Sequence, residues 1–199
     1  MEEYTKRQEE IISTAIRIID DKGIQGLTIK NLAREIGITE GAIYRHFQNK
    51  QQILVSVLSR FEKDMRDMEQ NILNSEESAS GKIASILNNL RKTFEKNPAI
   101  VSVIFAEEIF KNDSFLEKKI TDIIHFNYNF FYKIISEGKQ KAEIRQELDE
   151  TMIVNQIIGS FRLIVKMWKL EEFSISLKED VNNLLDHLQA TVFNFSSDR

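Results

Sequence analysis

TIKNLAREIGITEGAIYRHFQNK, residues 28–50, decides the fold. Thr28 stands where a helix needs an N-cap, and Ile29, Leu32, Ala33 and Ile36 follow at the three- and four-residue spacing of one helical face. Gly37 ends that helix. After Ile38, Thr39 caps a second short helix that turns Ala42, Ile43 and Phe47 inward and leaves Tyr44, Arg45 and His46 to an outside partner. Two short helices locked by one tight turn read as a helix-turn-helix, and the polar outer face of the second predicts DNA as that partner.

The formal charge of the 199-residue chain, −4, runs against a DNA binder until it is divided along the sequence. Residues 1–50 carry eight Lys or Arg and eight Asp or Glu, a balance of zero; residues 51–199 carry nineteen and twenty-three, a balance of −4. The acid excess lies outside the motif. Within residues 28–50, Lys30, Arg34, Arg45 and Lys50 outnumber Glu35 and Glu40, with His46 a further donor. Nonspecific attraction is therefore modest, and affinity is expected to depend on geometry and on pairing two motifs in a dimer.

Upstream, Thr5 and Gln8 have the spacing of a capping box, and Ile11, Ile12, Ala15, Ile18 and Ile19 give a first helix its apolar side until Gly23. Downstream, Asn49 caps a long fourth helix carrying Ile53, Leu54, Val57, Leu58 and Phe61, which links two domains. The expected division is a helix-turn-helix domain over residues 1–50 and a regulatory and dimerisation domain over residues 51–199. In the second, helices are expected after the polar loop at residues 74–81, from Pro98, from Ser114 to near Gly138, from Asp149 through Trp168, and from Ser176 through Phe195. With one proline, seven glycines and no alternation of period two, the fold class is all-α with about nine helices.

The segment from Thr28 to Gly37, the Ile38 turn and GAIYRHFQNK at residues 41–50 resemble the TetR family of bacterial transcriptional regulators. That resemblance implies a two-domain homodimeric helical protein that grips double-stranded operator DNA and releases it when a small ligand enters the larger domain. Residue by residue, it makes Thr28, Tyr44, His46 and Lys50 clamps on phosphate, and Lys30, Thr39, Glu40, Gly41, Ala42 and Arg45 the readers of bases. Arg45 suits guanine and Ala42 a thymine methyl. For Lys30 and Glu40, a merely solvated charge is an equal reading.

Two stripes run along the helix from Asp149. Ile153, Ile157, Phe161, Ile164 and Trp168 form one, and Val154, Ile158 and Val165 a neighbouring one; Val181, Leu184 and Leu188 give the last helix its own. One stripe is expected to face the core and the other a second copy, with Gly159-Ser160 permitting close crossing. The expected dimer interface is Val154, Ile158, Phe161, Val165, Val181, Leu184 and Leu188, and a wholly internal core is the alternative.

Thirteen phenylalanines and many isoleucines favour a small lipophilic effector. The helical pattern from Pro98 to Trp168 resembles that of family members that sense fatty acids or acyl-CoA, which makes these the candidates the resemblance implies. The effector's expected site is Phe105, Ile109, Asn127, Tyr128, Phe131, Arg162 and Trp168. Asn127 interrupts an apolar stripe, and a polar group there needs a partner, whether a ligand or an internal hydrogen bond.

No catalytic residue, metal or cofactor is expected. The three histidines are dispersed, cysteine is absent, and neither a phosphate-binding glycine loop nor an HExxH pattern occurs. The charged start and the short apolar runs predict a cytoplasmic protein with no membrane partner. The competing function is a DNA-associated structural or cell-division factor without an effector.

Overall fold

The computed structural model describes residues 4–105 and 114–194, and nine helices occur among them. They are α1 Lys6–Gly26, α2 Ile29–Ile36, α3 Glu40–Tyr44, α4 Lys50–Leu73, α5 Ala79–Lys96, α6 Pro98–Ile104, α7 Ser114–Gln140, α8 Glu150–Leu170 and α9 Leu177–Thr191. Apart from one isolated bridge between Ile144 and Phe193, no strand pairing occurs among the described residues. No described helix is long and apolar enough to cross a membrane.

Most helix starts follow from short polar side chains that accept the otherwise orphaned N–H groups of a first turn. Thr5 and Gln8 close a full capping box, Asn49 Oδ1 accepts from the Gln52 amide at 2.8 Å, and Asp149 and Ser176 cap α8 and α9. Gly23 breaks the helical path at φ 66°, although a further turn carries α1 on to Gly26.

The chain divides into two compact units, Met1–Asp64 with Lys96–Asp122 and Met65–Glu95 with Ile123–Arg199. In the first, α1 packs on α2 and α6, and α2 packs on α3. Its core joins Ile11, Ile12, Ile19, Leu32, Ile43 and Phe47 with Ile53, Leu54 and Leu58 of α4, all buried. Asn97 makes no side-chain cap for α6. The carboxylate of Asp20 instead accepts from the Ala99 amide, while burial raises its pKa. Glu62 of α4 and Lys119 of α7 form a mostly buried ion pair in the same unit.

In the second unit, Ile83, Ile86 and Leu87 of α5, Phe130, Phe131 and Ile134 of α7, and Ile153, Ile157 and Val165 of α8 are buried. Phe94 stacks on Phe161 with centroids 6.2 Å apart, and the Arg66 guanidinium lies 4.4 Å over the Phe126 ring. Glu143 accepts from the amide of Ala79, the first residue of α5, at 2.5 Å.

Three helices end the same way, with an amide bonded five residues back and the preceding residue left-handed: Ile38 to Ala33, Glu143 to Gly138 and Phe173 to Trp168. Gly37 fills the left-handed place without strain, but Ala142 (φ 56°) and Glu172 (φ 51°) carry a Cβ there. Gly138 is needed for closeness instead, since a Cβ there would lie 2.7 Å from that of Ala79 and 2.9 Å from Ile144 Cδ1.

Ala142→Gly is therefore expected to stabilise the protein by about 0.5–1 kcal/mol, a rise of roughly 1–4 °C in Tm, with relief of the left-handed strain exceeding the added chain entropy. Gly138→Ala should do the reverse by about 1–3 kcal/mol through overpacking. Thermal unfolding of the two variants against the parent checks both signs.

Candidate nucleic-acid interface

The five residues of α3 make too short a helix to persist alone, so its form comes from its ends and its buried side. Thr39 Oγ1 accepts from the Ala42 amide at 3.2 Å, and the Gly37 turn sets the entry angle. Ile43 and Phe47 are 0% and 2% exposed. With that side locked, Lys30, Thr39, Glu40, Gly41, Tyr44 and Arg45 stand exposed together with Thr28, while Ala42, His46 and Lys50 are half-buried.

Each capping hydroxyl keeps its proton. Thr28 Oγ1 accepts from the Asn31 amide at 3.1 Å and Thr39 Oγ1 from that of Ala42, so both O–H groups remain able to donate to an acceptor such as phosphate. Tyr44 is 52% exposed, and its phenol is a further donor. The Lys50 ammonium donates to the Ile24 carbonyl at 3.1 Å, which ties the start of α4 to the end of α1 and orients the charge. Burial lowers its pKa. A methyl at Gly41 would approach nothing nearer than Thr39 Oγ1 at 3.9 Å, so the fold itself does not require glycine there.

Sequence reasoning missed Asn31, whose side-chain amide donates to the Gly26 carbonyl at 2.9 Å and fixes α2 against the end of α1. Arg34 bonds to Asn31 Oδ1 at 3.1 Å, a local pairing.

The expected effector residues are scattered in their burial. Phe131 and Trp168 are buried, Tyr128 stacks on Tyr132 at 6.4 Å, and burial lowers the pKa of half-buried Arg162. Trp168 meets Phe173 edge-on at 4.7 Å. Asn127 donates from Nδ2 to the Ile123 carbonyl at 3.0 Å. These residues belong to the second unit and half-buried Phe105 to the first, while Ile109 lies outside the described residues.

Most of the expected interface residues lie in the core of the protomer itself. Val154 and Val181 are 0% exposed, and Phe161, Val165, Leu184 and Leu188 are also buried, so within one protomer they are core and offer a partner no surface; Ile158 is half-buried. The apolar surface of α8 lies elsewhere on the helix. Met152 (64%), Leu163 (60%), Met167 (43%) and Leu170 (64%) share one exposed face, and Gly159 lies between them with nothing within 4 Å of a built Cβ. Helical phase contained this signal: residues 152, 159, 163 and 170 fall within a narrow arc of the α8 surface.

Several comparisons bear on this arrangement. Residues 11–57 match the pattern described as "Bacterial regulatory proteins, tetR family", and residues 58–190 match that described as "YsiA-like protein, C-terminal region". The chain is 25% identical over 197 residues to the fatty acid metabolism regulator protein of Bacillus subtilis (strain 168), covering 98% of this chain and 100% of that one. It is 20% identical over 187 residues to the nucleoid occlusion factor SlmA of Photobacterium profundum, covering 94% and 95%. The crystal structure of FadR from Bacillus subtilis in complex with stearoyl-CoA superposes with a TM-score of 0.77 at 24% identity, over 90% of this chain and 96% of that one, a likeness of fold.

Arg45→Ala is expected to change stability by less than about 0.5 kcal/mol, because the side chain is exposed, whereas Phe47→Ala should cost about 3–5 kcal/mol. Denaturant titration of both separates the presented surface from its scaffold.

Proposed function

Because the chain belongs to the TetR family of bacterial regulatory proteins, DNA-binding regulators of transcription, we propose that it is a repressor that grips a palindromic operator as a homodimer. A mostly apolar effector, a fatty acid or its CoA thioester, binds its second unit and releases it. The observation carrying the DNA part is the locked inner side of α3, which leaves Tyr44 and Arg45 outward on a rigid support.

In this reading the Thr28 hydroxyl, the Tyr44 phenol, the His46 imidazole and the Lys50 ammonium hold phosphate oxygens and set the register. Lys30, Thr39, Glu40, Gly41, Ala42 and Arg45 face the major groove, where the absent side chain at 41 leaves room for base edges. Formal charge in the motif is small, so specific contacts carry most of the affinity.

Two such surfaces are needed for a palindrome, and the exposed face of α8 is the place to pair them. Four large apolar side chains around an open glycine are costly to leave in water, and a two-fold contact would cover each with its mate. The effector assignment is supported by the full-length similarity to a fatty acid metabolism regulator and by the aromatic density of α7 and α8. Asn127, Tyr128, Phe131, Arg162 and Trp168 are its candidate contacts. An effector shifts DNA affinity only by binding the two conformations unequally.

The similarity to a nucleoid occlusion factor favours a second reading, a DNA-bound division factor with no effector. Effector-dependent release separates the two.

Sedimentation at micromolar concentration should show a dimer that Leu163→Glu dissociates without unfolding, since the side chain is exposed; a charge at Val154 should instead unfold the chain. Selection of bound sequences from a random pool should yield an inverted repeat. Tyr44→Phe and Lys50→Ala should weaken all sites alike, whereas Arg45→Ala should relax one position at a cost of about 1–3 kcal/mol.

A further inference from the structure

Asn127 lies in the stretch of α7 that belongs to the second unit, and the two ends of its amide have different fates. Nδ2 donates to the Ile123 carbonyl of the preceding turn at 3.0 Å. This bond assigns the amide, because a backbone carbonyl only accepts and would repel Oδ1 in the flipped orientation. Oδ1 is therefore an acceptor directed away from the helix backbone. It is closed to solvent, and no donor of the protein reaches it.

Among the described residues, no other buried side-chain nitrogen or oxygen lacks a hydrogen-bond partner. Ile123, Phe130, Phe131 and Ile134, on the same helix, are all buried and apolar. The hydroxyl of Tyr132, one helical turn and more away, is engaged by the Glu150 carboxylate, which raises its pKa, and is not available to Asn127. An acceptor held in apolar surroundings without a donor is costly to the ligand-free protein, and it offers binding energy only to a molecule that supplies the missing donor.

We propose that Asn127 is a specificity-determining residue of the effector site, whose Oδ1 accepts a hydrogen bond from an N–H or O–H group carried by an otherwise apolar ligand. This rests on the effector reading and narrows it. An unsubstituted fatty acid at neutral pH brings only acceptors and leaves Oδ1 unsatisfied. Two kinds of ligand bring a donor: a CoA thioester, through the amide N–H and hydroxyl groups of its pantetheine arm, and a hydroxylated fatty acid, through a hydroxyl on the chain. Discrimination follows from the unpaired group that the wrong ligand leaves buried, not from chain length.

The test measures Tm and calorimetric affinity of the full-length protein with hexadecanoyl-CoA, 3-hydroxyhexadecanoate and hexadecanoate, for the parent and for Asn127→Leu. The parent is expected to bind at least one donor-bearing ligand about tenfold or more tightly than hexadecanoate. Preference for the thioester places the donor on the pantetheine arm, and preference for the hydroxy acid places it on the chain. Asn127→Leu should raise or preserve the Tm of the ligand-free protein and cut the preference for the donor-bearing ligand over hexadecanoate about three- to tenfold. Should leucine overpack the site, Asn127→Ala gives the same affinity comparison.

Equal affinity of the parent for hexadecanoate and the donor-bearing ligands overturns the inference while leaving the effector reading intact. So does an unchanged preference in both variants. If none of the three ligands binds the parent, the effector reading fails and takes this inference with it.

Discussion

Burial of one side of a helix too short to stand alone governs what the protein can offer to DNA. Ile43 and Phe47 place α3 in the core of the first unit, and the Thr39 cap and left-handed Gly37 leave it one angle of entry. Without that burial, Tyr44 and Arg45 would belong to a frayed loop, and a loop reads bases at the cost of ordering itself first. The same core reaches along α1 and the start of α4, where Lys50 bonds back to the end of α1 through the Ile24 carbonyl. A recognition surface is thus held by apolar contacts that never touch the partner.

That unit extends beyond the helix-turn-helix. It includes residues 96–122, with α6 against α1 and the Asp20 carboxylate bonded to the Ala99 amide. Sequence patterns could not foresee this. The division expected at residue 50 follows the motif, whereas the compact units follow contacts made by segments distant in the chain. Both α4 and α7 begin in one unit and end in the other.

Local chemistry was legible and surface choice was not. The caps at Thr5, Thr28, Thr39, Asn49, Asp149 and Ser176 are set by side chains within three residues of the amides they satisfy, so short-range spacing reveals them. Asn127 was visible as a polar break in an apolar stripe, and the structure leaves one end of it unpartnered. On α8, by contrast, apolar residues cover more than one face. Periodicity cannot say which face the neighbouring helices will bury, and the buried one is that of Val154 and Val165, with Met152, Leu163 and Leu170 outside. Long-range packing decides such cases, and a single sequence does not record it.

Coupling between ligand and operator is the core of the proposed function, and one titration measures it directly. Fluorescence anisotropy of a selected inverted-repeat operator, titrated with the protein with and without saturating hexadecanoyl-CoA, reads the affinity in both states. A Kd at least about tenfold higher with the thioester is expected, a coupling of about 1.4 kcal/mol or more. An operator affinity that the bound thioester leaves unchanged would contradict it.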